Sequence, residues 1–339
     1  MFIDIAEIPM EKLGIYTLAN DVVFDQLVAL LNSIEKNVST DVPICVIPFD
    51  NNLEKVKQEI EQRDNVSLFN DQESIKRWEN FATEIWSKHP KANQTKQFWG
   101  KGHHHRFAAF DGEFDKFVFY DADSLAMKPL DKMFDKLNYY DFVFDDWEHR
   151  KPKETSALNI SLIEESGLFK EEQIRPKLHC SSLFGSKKGI FNEEELGKLK
   201  DKLINDNEIT WIPRWWDDAF LFNYLTLRCD RPLYNFTLSE DAQDRTGNCA
   251  DADPFVNVEN VLYNEQGLKP IHRIHYMNYS SADFASLTQG YDTNIRYQEE
   301  FLYYRFLKNP EQKPKELKKY SVFSKMKNKL RLIKNKLLD

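Results

Sequence analysis

The segment KFVFYDADSLAMKPL, Lys116 to Leu130, runs through four apolar residues into two carboxylates separated by one alanine. Such a run reads as a buried strand. Asp121 and Asp123, two apart on an extended chain, point to the same side, and small Ala122 between them permits close approach of a ligand. Two hard oxygen donors at a strand's end suit Mg²⁺ or Mn²⁺, leaving most of the coordination sphere to water and phosphate oxygens. Acid pairs at strand ends also serve as helix caps or solvated termini, so the tripeptide alone leaves both readings open. The same tripeptide recurs in GNCADADPFVNV, Gly247 to Val258. There, turn residues precede Asp251 and Pro254 follows Asp253, which is loop chemistry.

Other residues invite chemistry and each has a plainer reading. His103, His104 and His105 are consecutive; on a helix they point about 100° apart and cannot all meet one ion. In WWDDAFLFNY, Asp217 and Asp218 open a helix, where a carboxylate caps the first turn by default. A helix start that faces a catalytic sheet edge would instead aim them at a substrate. His272 and His275 lie three apart, so on a strand they face opposite sides and only one can join a given site.

These residues need a scaffold. LGIYTLAN (Leu13 to Asn20) reads as a buried strand, followed by an amphipathic helix with Asp21 as its N-cap. VPICVIPFD (Val42 to Asp50), a helix from Asn52 and VSLFN (Val66 to Asn70) continue the alternation. Strand, helix, strand, helix, strand implies a parallel sheet, whose carboxyl ends are where ligands bind. No GxGxxG follows the first strand, which disfavours a dinucleotide fold. YYDFVFDDW (Tyr139 to Trp147) is a further strand, again ending in paired acids, and IHRIHYMNYSS a late one. Residues 1–308 read as one domain with insertions, and 309–339 as a separate tail.

Composition narrows the classes. The chain has 339 residues, 25 Phe, 14 Tyr and 7 Trp against 11 Gly, the mark of a densely packed α/β body. Four cysteines, Cys45, Cys180, Cys229 and Cys249, form no zinc spacing, so a reduced, cytoplasmic compartment is expected. No export signal and no membrane span is read from the chain. The net charge of −9 divides into +7 on residues 311–339 and −16 on the rest. An acidic body argues against nucleic acid as a partner. The tail spaces Phe323, Met326, Leu330, Ile333 and Leu337 at threes and fours among lysines, so residues 313–338 read as a basic amphipathic helix for an anionic membrane surface, peripheral at its inner face.

The segment FVFYDADSLAMKPLD resembles the DxD signature of GT-A glycosyltransferases, particularly the family-eight type of glycogenin-like and bacterial lipopolysaccharide sugar transferases. WWDDAFLFNY resembles that family's acidic helix start, and IHRIHYMNYS its late histidine segment. The resemblance implies a Rossmann-like α/β fold with a mainly parallel central sheet flanked by helices. It implies Thr17, Ala19, Asn20 and Asp50 around a nucleotide, Arg106 at the diphosphate, and Ala122 at the cofactor's edge. It selects His275 as third ligand to Mn²⁺ or Mg²⁺ beside Asp121 and Asp123, and places Asp217 and Asp218 near the reacting sugar. The implied reaction moves a sugar from a nucleotide-sugar, a UDP-sugar being favoured, to a glycan or lipid-linked acceptor with retention. Two departures stand out: HCSSLFG replaces an Asn-Ser-Gly strand, and NYSS follows the late histidine in place of Lys-Pro-Trp. A haloacid-dehalogenase-type phosphatase shares the hhhhDxD shape, and an inactive nucleotide-sugar-binding scaffold shares the whole pattern.

Overall fold

The computed structural model describes residues 11–92, 101–214 and 216–319. In chain order its strands are β1 (Leu13–Ala19), β2 (Ile44–Pro48), β3 (Val66–Leu68), β4 (Lys116–Asp121), β5 (Ser124–Ala126), β6 (Phe142–Phe144), β7 (Leu183–Lys187), β8 (Leu233–Asn235), β9 (Phe255–Val258), β10 (Val261–Asn264), β11 (Arg273–His275), β12 (Tyr291–Asp292) and β13 (Lys318–Lys319). Its α-helices are α1 (Phe24–Asn37), α2 (Glu54–Ile60), α3 (Gln72–Lys88), α4 (Asp131–Lys136), α5 (Ile160–Glu165), α6 (Glu171–Ile174), α7 (Glu193–Ile204), α8 (Asp218–Arg228), α9 (Ser281–Thr288) and α10 (Gln298–Arg305).

A central sheet of seven strands has the order β3-β2-β1-β4-β7-β6-β8. All its pairings are parallel except those of β7, which runs against both β4 and β6. Both faces are covered. Along β4, Phe117 and Phe119 enter one apolar core while Val118 and Tyr120 enter the other. This is the alternation of a strand buried on two sides, and it explains why β4 reads as an unbroken apolar run. Leu27, Leu30, Leu31 and Ile34, at spacings of three and four on α1, cover the second face.

Several local expectations shift. Asn20, not Asp21, caps the chain as it leaves β1: its Oδ1 accepts from Val22 N at 3.0 Å over a 3₁₀ turn at Asp21–Val23. That turn delays the α-helix to Phe24, so Asp21 cannot reach its amides. The Asp21 carboxylate instead accepts from Lys55 N and Val56 N in the first turn of α2, at 3.1 and 3.0 Å. The strand expected at 139–147 is pared to Phe142–Phe144. Residues 310–319 fold back on the body through a 3₁₀ turn at Pro310–Gln312 and the parallel pair β12–β13. Lys318 and Lys319 are therefore strand rather than the start of the expected tail helix, whose remaining residues, 320–338, lie outside the described ones. Among the described residues no helix is long and apolar enough to cross a membrane.

Candidate metal centre and adjoining cavity

One strand end and one register assemble the acidic group. Strand β4 delivers Asp121 as its last residue, a turn at Ala122 and Asp123 reverses the chain, and β5 pairs antiparallel with β11. That register sets Ser124 opposite His275, and Tyr276 N donates to Asp123 O at 3.0 Å. His275 is thereby held beside Asp123, its Nε2 3.3 Å from Oδ1. Donor atoms of Asp121, Asp123 and His275 all lie within 4.8 Å of one another. The two carboxylates keep 23% and 25% of their side-chain surface open, so an ion can enter.

The electrostatics suit a cation. Burial pushes the Asp121 carboxyl above its usual range, Arg106 beside it pulls the other way, and the Asp123 charge adds to the rise. Burial also pushes Asp123 upward, but the charge and hydrogen bond of His275 outweigh it and hold that carboxyl low. Two crowded carboxylates of unlike affinity for protons are a repulsive pair that a divalent ion would relieve. The donor set, two carboxylate oxygens and an imidazole nitrogen, fits Mn²⁺ and accommodates Mg²⁺.

A cavity of about 510 Å³ opens beside this group. Ala19, Asn20 and Asp50, at the carboxyl ends of β1 and β2, line one side; Asp121, Ala122 and Asp123 line another; His103 and Arg106 also face it. Asn20 Nδ2 donates to Asp50 Oδ2 at 2.8 Å, joining the two strand ends. A 3₁₀ helix, Lys101–Phe110, carries His103 and Arg106. It presses so closely on the chain just past β2 that a Cβ on Gly102 would lie 2.3 Å from Phe49 O, so this contact requires glycine.

The remaining expected residues divide. Thr17 is enclosed deeper in β1 and does not line the cavity; nor do Asp217 and Asp218. Asp217 caps α8, its Oδ1 accepting from Phe220 N at 3.2 Å, and burial, then the Asp218 charge, raise its pKa. Asp218 turns to Arg106, its Oδ2 2.8 Å from Nε. Arg106 Nη1 lies 3.1 Å from Asp121 Oδ1 and donates to Ser181 O and Oγ at 3.0 and 2.9 Å. The three histidines part company: His104 accepts from Trp86 Nε1 at 3.0 Å, His105 bridges Pro48 O and Glu79, and exposed His103 meets the Phe49 ring edge-on. None joins the metal group.

Sequence reasoning passed over the supports behind these groups. Asp121 N donates to Ser182 O at 2.9 Å, and buried Arg273, between the two late histidines, donates from Nη2 to Ser182 Oγ at 2.6 Å. The two serines of HCSSLFG thus each anchor an arginine. Asn223 of α8 clamps the same segment, donating to His179 O at 2.6 Å and accepting from His179 N at 2.9 Å. His272 turns away from the metal group, its Nδ1 2.8 Å from Asp145 Oδ2. The signal for these was an arginine in an otherwise buried strand and a second acid pair, Asp145 and Asp146, at a strand end. The second DAD is a turn whose Asp253 Oδ2 accepts from Asn248 N and Cys249 N at 3.0 and 2.9 Å.

No family model and no curated protein matches the sequence. The structure does have relatives. It is similar to the apo structure of the bifunctional glycosyltransferase WbbM, at 12% identity and a TM-score of 0.54, over 91% of this chain and 53% of that one. The chain thus spans about half the length of that protein. It is also similar to the galactosyltransferase LgtC in complex with donor and acceptor sugar analogues, at 11% identity and a TM-score of 0.50, over 86% of this chain and 95% of that one. The fold is GT-A. At such identities the likeness speaks for architecture, and the narrower family-eight resemblance rests on the motifs alone.

Proposed function

We propose that the protein is a metal-dependent glycosyltransferase that moves a sugar from a nucleotide-sugar to a glycan or lipid-linked acceptor. The observation that carries this reading is the meeting of Asp121, Asp123 and His275 at the wall of a cavity on the carboxyl edge of a GT-A sheet. Asp121, Asp123 and His275 would hold Mn²⁺ or Mg²⁺, which when bound supplies Lewis-acid neutralisation of a leaving diphosphate. Asn20 and Asp50, joined across two strand ends, form a polar wall for the nucleoside. Val22 and Phe49 add apolar surface there. Arg106 keeps its charge: burial works against it, but Asp121 and Asp218 outweigh that and hold its pKa above the ordinary value. Its positive end therefore stays fixed at the cavity wall, where negative charge would develop.

Asp217 and Asp218 stand behind the cavity wall, so any service to the sugar would be indirect, Asp218 acting through Arg106 and Asp217 through the helix start it caps. Retention and a UDP-sugar follow from the family-eight resemblance, and the basic segment beyond residue 319 would bring the domain to an anionic membrane surface. A thermal-shift series with UDP, GDP, CDP and TDP sugars, with and without Mn²⁺, tests the reading. Expected is a melting shift that needs both the ion and one nucleotide, followed by nucleotide release in the presence of acceptor. A shift that persists undiminished in EDTA, or hydrolysis of p-nitrophenyl phosphate, counts against it.

A further inference from the structure

The guanidinium of Arg106 stands between two carboxylates that belong to different parts of the site. Nη1 lies 3.1 Å from Asp121 Oδ1 and Nε lies 2.8 Å from Asp218 Oδ2. The guanidinium plane is not free to follow either one: the Phe119 ring lies 5.2 Å from Cζ, and Ser181 O and Oγ and His103 O accept from it. Asp218 Oδ2 is enclosed and makes no hydrogen bond among the described residues; what faces it is the Arg106 guanidinium. Asp121 has a rival for that charge, because it is also a donor of the metal group. One fixed cation is therefore shared by a metal-site carboxylate and a carboxylate beyond the cavity wall.

We propose that Arg106 is a positioning residue that couples occupation of the cation site to the placement of Asp218. The inference rests on the glycosyltransferase reading for the cation. An ion that takes up Asp121 leaves the pinned Arg106 charge to Asp218 alone, drawing that carboxylate onto it and fixing it there. Removing the charge of Asp218 leaves Arg106 wholly to Asp121, where it opposes the ion. The coupling is reciprocal.

Titration of Mn²⁺ followed by electron paramagnetic resonance reads the coupling without turnover. Arg106→Gln should tighten Mn²⁺ binding about tenfold, the order expected when one unit charge is removed beside a divalent ion in a half-open site. Asp218→Asn should weaken it by about threefold in the wild-type background and by less than about twofold in the Arg106→Gln background. Arg106→Lys, which keeps the charge but cannot span both carboxylates, serves if the glutamine variant does not fold, and it too should shrink the Asp218→Asn effect. An equal Asp218→Asn effect in both backgrounds, or weaker Mn²⁺ binding in folded Arg106→Gln, overturns the coupling alone. A wild-type protein that binds no Mn²⁺ overturns the coupling and the glycosyltransferase reading together.

Discussion

Two histidine–carboxylate pairs share one short segment, three residues apart, and differ in what surrounds them. His272 and Asp145 are sealed, with 1% and 0% of their side chains exposed; His275 and Asp123 keep 8% and 25%. The sealed pair is a strut: burial keeps the His272 imidazole neutral, more strongly than Asp145 draws it the other way, and the pair ties the start of β11 to the end of β6. The open pair has a third donor, Asp121, and a cavity beside it. Pairing chemistry is the same in both. Access and the presence of one further donor separate a candidate binding centre from a brace.

The comparison is sharpest where function and stability part. Asp123→Asn is expected to lower metal-dependent nucleotide release on the order of a thousandfold, with unfolding free energy changed by less than about 1 kcal/mol. Assay at saturating donor and Mn²⁺ beside a denaturant titration checks both; retained turnover sinks the role of the open pair. Asp145→Ala should do the reverse, costing about 3 kcal/mol by stranding a buried imidazole. The folded fraction should keep its Mn²⁺ affinity, and a loss of affinity with no loss of stability would contradict the division.

Smaller effects probe the edges of the same contrast. Asp253→Ala removes an acceptor from two amides in the second DAD turn and should cost about 1 kcal/mol. Mn²⁺ dependence should stay unchanged, although that turn lies directly behind His275, whose N donates to Asn248 O at 2.7 Å. The smallest effect is in pH. Burial holds His179 down at about 3 against an ordinary 6.5, and lowers His272 as well. An unfolded chain takes up protons below 6.5 that these folded rings refuse, so their contribution is constant above that pH and is lost as pH falls below it, for His179 down to about 3. Each contributes a slope of at most about 1.4 kcal/mol per pH unit. Imidazole resonances that stay in the neutral form at pH 5.5 for His179 are the expected result, and protonated ones the contrary.

The parts of the molecule legible in the sequence are those set by local pattern. Alternation of strand and helix through residue 68 gave the parallel half of the sheet, and the run into Asp121 gave its central strand. Period-two alternation also separated His272 from His275. What could not be read depends on pairing between distant segments. Reversal of β7 between β4 and β6 leaves no mark on LFGSK, yet it brings Ser181 and Ser182 under Asp121. Arg273 drew no reading at all, because its partner, Ser182, lies 91 residues away. Asp21 looked like a cap for its own helix because its partner amides, on α2, lie 34 and 35 residues away. The fate of Asp217 and Asp218 turned on side-chain direction: both sit at one helix start, but one takes the local amide and the other reaches a distant arginine.

The pair β12–β13 has a mechanical side. Lys318 N donates to Gly290 O at 2.8 Å, and Gly290 closes α9, which begins at Ser281 on the cavity wall. A pull that reaches Lys319 therefore passes straight into the body. It loads a two-residue splice first, then a rigid helix whose far end borders the pocket. Lys319 is thus placed in series with the wall that Tyr279 and Ser281 build.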